Sequence, residues 1–163
     1  MPISDEHTFV GEFSRNWQYA RNLTYSLLEV VSADNLGFSP HHEFGTLGRQ
    51  LWHCGHVQEC YRQAMVSGDM VFGLLTPDKE LEVDPEALAG FLEELDDDLA
   101  ATLRGLRDYT AVIDWGLEEE NPELRAHLIW LLQHETLHHG QWSLYARLGG
   151  FEVPETWRDA WGM

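Results

Sequence analysis

From Val10 onward the chain places an apolar or small residue every three or four positions: Val10, Phe13, Trp17, Ala20, Thr24, Leu27 and Val31. That spacing follows the helical turn and predicts one long amphipathic helix over about 5–34. Asn35-Leu36-Gly37-Phe38-Ser39-Pro40 breaks it, since Gly37 and Pro40 both oppose continuation. Leu47, Leu51, Cys54, Val57, Tyr61 and Met65 form a second stripe, which predicts a helix over about 46–67. Gly68, Gly73 and Pro77 then punctuate a loop that ends in Asp84-Pro85-Glu86. There the Asp side chain can accept the first amide protons, and Pro suits the first helical position. Leu88, Leu92, Leu95, Leu99, Leu103 and Leu106 line this third helix. Asn121-Pro122-Glu123 repeats the start grammar for a fourth helix running to about Leu148, and Gly149-Gly150 closes it. A short tail with Trp157 and Trp161 follows. No segment alternates as strands do, and none repeats at a solenoid period. The pattern therefore predicts an all-α four-helix bundle forming a single domain over 1–163. Its loops after the second and third helices, about ten to sixteen residues each, exceed the usual connection and are expected to cross the bundle or form a site rim.

Composition narrows the partners. Of 163 residues, 44% are hydrophobic and seven are Trp, enough to fill one sizeable core. The formal charge of −18 comes from 28 acidic against 10 basic residues and repels phosphate backbones and anionic lipid, so nucleic acid and membrane are poor partners. The first residues hold no basic region followed by an apolar run, and no apolar stretch approaches the roughly 20 residues that span a bilayer. The expectation is a soluble cytoplasmic protein. Cys54 and Cys60 lie on one predicted helix with side chains pointing apart, which excludes a disulfide between them and fits a reducing compartment. The run Asp96-Asp97-Asp98 reads as a solvated helix face.

The chemistry is in the histidines. His134 and His138 are spaced i, i+4 on the fourth helix, so both imidazoles can reach one ion. His127, His134, His138, Gln141 and Tyr145 fall within about 60° of arc, on the face that also carries Leu124, Trp130, Leu131 and Leu137. Several imidazoles buried together without obvious carboxylate partners point to a metal more than to packing. On the second helix, His53 lies about 70° from the apolar centre and His56 about 130° from it, which favours His53 as third ligand with His56 as the alternative. Three neutral imidazoles with open positions form the ligand set of a catalytic rather than a structural zinc site, although nickel, cobalt, manganese or iron bind the same nitrogens. His127 lies two turns below His134 and reads as core or outer-shell support. His139 points about 100° off the shared arc and reads as a flank or surface residue, and His7, His41 and His42 read as exposed. Gln141 either orients a bound water or is a plain buried amide.

Helix two runs Thr46-Leu47-Gly48-Arg49-Gln50-Leu51-Trp52-His53-Cys54-Gly55-His56, and helix four runs His134-Glu135-Thr136-Leu137-His138-His139-Gly140-Gln141-Trp142. With these motifs the chain resembles the DinB-like (DinB/YfiT-type) superfamily of four-helix proteins over nearly all its length. The resemblance rests on a Ser/Thr-apolar-Gly start before a His in helix two, then His-x-x-x-His with a trailing Gly-Gln. It implies a four-helix bundle holding a divalent metal, zinc or nickel foremost, on His53, His134 and His138. The sequence departs from the family pattern at His139, where an arginine is usual. Relatives with a Trp-His-x-Gly-His spelling use the later histidine, which keeps His56 open. Members of the superfamily include thiol transferases using bacillithiol or similar thiols, a mycothiol-dependent isomerase, and the metal domain of sulfoxide synthases. The resemblance thus implies a small-molecule substrate, a low-molecular-weight thiol cosubstrate and a homodimer.

Three functions compete at this stage. One is a metal-dependent enzyme of thiol S-transferase or hydrolase type, with metal-activated thiolate or hydroxide as the nucleophile. A second is a non-catalytic metal-binding or stress-response module. A third is a zinc peptidase, because His134-Glu135-x-x-His138 matches the spelling in which the glutamate acts as base.

Overall fold

The computed structural model describes residues 5–118 and 120–162, with side chains from Phe9 onward, so the expectation for His7 lies outside the described side chains. Six helices follow in order: α1 (Asp5–Leu28), α2 (Ala33–Leu36), α3 (Leu47–Ser67), α4 (Pro85–Gly105), α5 (Leu124–Gly149) and α6 (Glu155–Trp161), with a 3-10 turn at Leu81–Val83 before α4. Helix α3 packs on α4 and α5, and α1 packs on the same two, so the long helices run round the bundle as α1, α4, α3, α5. Among the described residues the only strand-like pairings are two isolated bridges, Asp69 with Asp114 and Val112 with Glu123. The fold is all-α.

The predicted helix starts are correct where a side chain makes the cap. Thr46 accepts from the Arg49 amide to open α3, and Asp84 accepts from Glu86 and Ala87 with Pro85 following to open α4. Helix α3 ends on left-handed Gly68 and α5 on left-handed Gly150.

Three boundaries differ, each for a local reason. Helix α1 stops at Leu28 rather than near 34 because Ser32 and Asn35 form a reciprocal capping box that starts α2 afresh. Val31 still packs in the core, which is why it continued the stripe. Helix α5 begins at Leu124 without a side-chain cap. Asn121 instead accepts from the Trp115 amide at 2.9 Å and donates to Asp114 at 3.1 Å, folding the preceding loop back on itself. The tail forms α6, whose buried Trp157 donates from Nε1 to the Leu23 carbonyl at 2.7 Å and so docks on α1.

The two long loops are stitched together beside the helices. The Met70 amide donates to the Asp114 carbonyl and the Asp114 amide to the Gly68 carbonyl, both at 2.7 Å. Close approach elsewhere is set by glycine. A Cβ on Gly48 would sit 1.7 Å from the Glu82 carbonyl oxygen, so only glycine lets the 3-10 turn rest on the start of α3. A Cβ on Gly55 would lie 2.4 Å from Phe91 Cε1, so this glycine lets α4 close on α3 near its histidines.

The apolar core has two lobes. One gathers Leu23, Leu27, Leu51, Leu92, Trp142 and Trp157; the other gathers Phe13, Trp17, Val57, Leu99, Leu128 and Leu131. Buried or half-buried polar residues form a bonded layer across the long helices: Arg21 and Thr24 on α1, Gln58 on α3, Asp96 on α4 and Glu135 on α5. Asp96 takes bonds from Trp17 Nε1 at 3.0 Å, Arg21 Nε at 3.3 Å, Gln58 Nε2 at 2.9 Å and the Tyr25 hydroxyl at 2.6 Å. The solvated-face reading therefore holds for exposed Asp97 and Asp98 and fails for Asp96. Asp96 follows Leu92 by four residues and precedes Leu99 by three, which places it on the apolar stripe itself.

Candidate metal centre

His53 projects from the second turn of α3, while His134 and His138 stand one turn apart on α5, the helix packed against it. Their ring nitrogens converge. His134 Nε2 lies 3.3 Å from His53 Nε2 and 3.2 Å from His138 Nε2, and the three ligand atoms all fall within 4.8 Å of one another. The rings meet at tilted or edge-on angles, with centroids 4.5 to 5.3 Å apart. At zinc–nitrogen distances of about 2.0–2.1 Å, separations of 3.2 and 3.3 Å subtend about 100–110° at a common ion. Those two pairs open at a near-tetrahedral angle, and His53 and His138 offer ligand atoms within 4.8 Å of each other.

The electrostatics agree with this geometry. Burial lowers the pKa of all three imidazoles, and their mutual proximity lowers His134 and His138 further, to about 4 and about 3. The rings are therefore neutral at physiological pH, which a metal ligand requires. A neutral ring that offers Nε2 to an ion carries its proton at Nδ1. In His138 that Nδ1 is buried with no hydrogen-bond partner among the described residues, so the ring is positioned by packing near Trp142, 5.8 Å between centroids.

His56, the alternative ligand, faces elsewhere. Its ring stacks on Trp52 at 5.0 Å and 7°, and the backbone amides of Gly73 and Leu75 point at its two nitrogens from 3.3 Å each. It pins the loop after α3. His127 is a core residue bridging elements: Nε2 bonds the Tyr61 carbonyl at 2.9 Å, and Nδ1 accepts from Trp115 Nε1 at 3.2 Å. His41 and His42 are exposed, as expected. His139 is not a surface residue. It is 1% exposed, bonds Thr24 Oγ1 at 2.9 Å and lies among Trp142, Trp157 and Trp161. The tail helix covers what would otherwise be an open flank of α5, and α6 was not legible in the pattern of apolar positions.

Glu135 is also 1% exposed. Its Oε1 accepts from Arg21 Nη1 at 3.2 Å and from the Thr24 hydroxyl, with His139 Nε2 at 3.8 Å. Burial pushes this carboxyl up, but the Arg21 guanidinium, helped by His139 and Thr24, outweighs it and holds the pKa at about 2. A carboxylate so engaged has no affinity for a proton at neutral pH. The His-Glu-x-x-His spelling thus supplies two convergent imidazoles without a base beside them.

Two clefts meet at the histidines. One, of about 680 Å³, is lined by His53, His138 and Gln141 together with Pro40, Phe44 and Tyr145. The other, of about 540 Å³, is lined by His53 and His134 with Trp52, Phe72, Pro77 and Trp115. The long loops do form the site rim, since Phe72 and Pro77 come from the loop after α3 and Trp115 from the loop before α5. Arg49 lines both clefts. Its guanidinium lies 4.3 Å over the Trp52 ring, and Nη1 donates to Glu82 at 2.8 Å.

The sequence model of the DinB family matches residues 4–161. The chain belongs to the DinB family. Among solved structures, a DinB-like protein from Bacillus cereus is similar with a TM-score of 0.72 and 21% identity, over 87% of this chain and 93% of that one. At that identity the likeness speaks for the fold, and it places this DinB chain on an all-α architecture. No curated protein matches the chain. No helix among the described residues is long and apolar enough to cross a membrane.

Proposed function

We propose that His53, His134 and His138 of this DinB-family protein hold a divalent transition metal, zinc or nickel foremost, and that the protein is a metal-dependent enzyme of thiol S-transferase or hydrolase type. The observation that carries the proposal is the meeting of three neutral imidazole nitrogens at the floor of two clefts, which leaves room beside the ligands for a small molecule. A bound divalent ion lowers the pKa of a thiol or water on it and so supplies a nucleophile at neutral pH. The chain's own contribution is positional: the α3–α5 packing fixes the three rings, Gln141 offers an amide in the larger cleft, and Phe44 and Tyr145 supply apolar walls that limit water.

One observation favours a non-catalytic metal-binding or stress-response module instead. Metal-bound imidazoles ordinarily donate their second N–H to an acceptor, and His138 Nδ1 has none among the described residues. The two readings separate in one experiment. Protein loaded with zinc or nickel is expected to carry one metal per chain, to melt at higher temperature than the metal-free form, and to rise further with millimolar low-molecular-weight thiol. Metal without any thiol effect would favour the module, and no metal uptake would remove both readings.

The free thiols of Cys54 and Cys60 suit a reducing compartment, and we place the protein in the cytoplasm. We also infer that the chain pairs as a homodimer. Leu137, on α5, is 61% exposed, with Ile129, Leu144 and Leu148 exposed on the same helix. Leu137→Glu is expected to convert a dimer to a monomer in light scattering, and a wild-type monomer mass would end this inference.

A further inference from the structure

Within the site proposed above, Arg49 is the cation closest in sequence to the histidines, four residues before His53 and therefore on the same face of α3. It lines both clefts, beside His53 in each. In a chain of net charge −18 with ten basic residues, such a placement opposes the field of the rest of the molecule. The guanidinium is also held rigidly, stacked on Trp52 at 4.3 Å and tied to Glu82 at 2.8 Å. That ion pair engages Nη1, whereas a guanidinium has five N–H donors in a planar fork suited to carboxylates. Its side chain is about one-third exposed and lines both clefts. The remaining cleft chemistry is neutral: the amides of Gln50 and Gln141 beside Pro40, Phe44 and Tyr145.

We propose that Arg49 is a specificity-determining residue that selects a ligand bearing a carboxylate a few bonds from the atom presented to the histidine cluster. The proposal rests on the metal-site reading and adds to it the charge of the substrate. A preorganised arginine fork beside the ligand atoms accepts a carboxylate with little loss of freedom, and it leaves a cationic analogue opposed by like charge.

The test uses three thiols of matched length, 3-mercaptopropionate, 3-mercapto-1-propanol and 3-amino-1-propanethiol. Each is titrated calorimetrically into zinc-loaded protein, with metal content measured on the same samples. The acid is expected to bind about tenfold more tightly than the alcohol, the size of one charge-assisted hydrogen bond, and the amine more weakly than either. Arg49→Gln should bring acid and alcohol within about twofold, and Arg49→Lys should retain part of the preference. Glu82→Gln, which frees the guanidinium from its present partner, should enlarge the preference. Equal affinities in the wild type overturn the assignment. So does a preference that survives in Arg49→Gln, which would place carboxylate recognition on the metal itself. Absence of metal in the samples would instead overturn the site reading, and this inference with it.

Discussion

Arg21→Leu should cost the fold about 3–5 kcal/mol, because it leaves the Glu135 carboxylate in the protein interior without its cation. Both side chains are 1% exposed, so water cannot replace the lost partner. Thr24 and His139 would remain beside Glu135, and Trp17, Tyr25 and Gln58 beside Asp96, but none supplies a fixed positive charge. The urea midpoint at pH 7 reads the loss. Pairing Arg21→Leu with Glu135→Leu should recover most of it, since a buried ion pair replaced on both sides by apolar groups is often neutral. Acid gives an independent reading with opposite signs. In the wild type Glu135 titrates at about 2 rather than at its ordinary 4.5. Its stabilisation is therefore complete above about pH 4.5 and is lost as pH falls toward 2. Without Arg21, burial is the dominant influence and raises the carboxyl, so the variant should recover stability on acidification as Glu135 takes up a proton. The same acid slope in both proteins would show that the pair does not control this charge.

That polar layer marks where sequence reading stopped. The bundle was legible because its apolar residues follow one helical period and because Thr46, Asp84, Gly68 and Gly150 cap ends through their own side chains or backbone angles. His134 and His138 were legible because i, i+4 spacing and a shared buried face are local properties of a helix, and His53 because it lies nearer than His56 to the apolar centre of its own helix. Arg21, Asp96 and Glu135 were not, because a charge on an apolar stripe looks the same whether it reaches solvent or meets a partner 75 or 114 positions away. His139 failed for a related reason: its burial depends on Trp157 and Trp161 of α6, a seven-residue helix held to α1 by the Trp157 indole, by a Thr156–Ser26 hydroxyl bond and by packing. The wheel ranked His53 above His56 as the ligand, but the role of His56 as loop anchor depends on the Gly73 and Leu75 amides, which no wheel contains.

His134→Ala should abolish metal uptake outright, with a loss well beyond the roughly 10- to 100-fold that outer-shell substitutions produce. His134 Nε2 is the shared vertex of the cluster, within 3.3 Å of His53 and 3.2 Å of His138, so its removal leaves two nitrogens facing each other across the gap it filled. His56→Ala is the matched control: it should keep one equivalent of metal while loosening the loop after α3. Metal analysis after dialysis reads both variants, and one equivalent retained by His134→Ala would remove the basis for a three-histidine site. The same geometry sets a pH dependence. Burial and neighbouring imidazoles hold His134 near 4 and His138 near 3, below the ordinary 6.5. Between those values the unfolded chain binds protons that the folded chain refuses, so metal-free protein should lose stability as pH falls from about 6.5 toward 4. Desolvation that costs stability in acid also keeps the nitrogens free of protons, so wild-type metal occupancy should stay level from pH 7 to about 5, where exposed imidazoles would already be charged. An occupancy that falls by half at pH 6.5 would mean that the rings titrate as solvated side chains and that the buried cluster does not hold the ion.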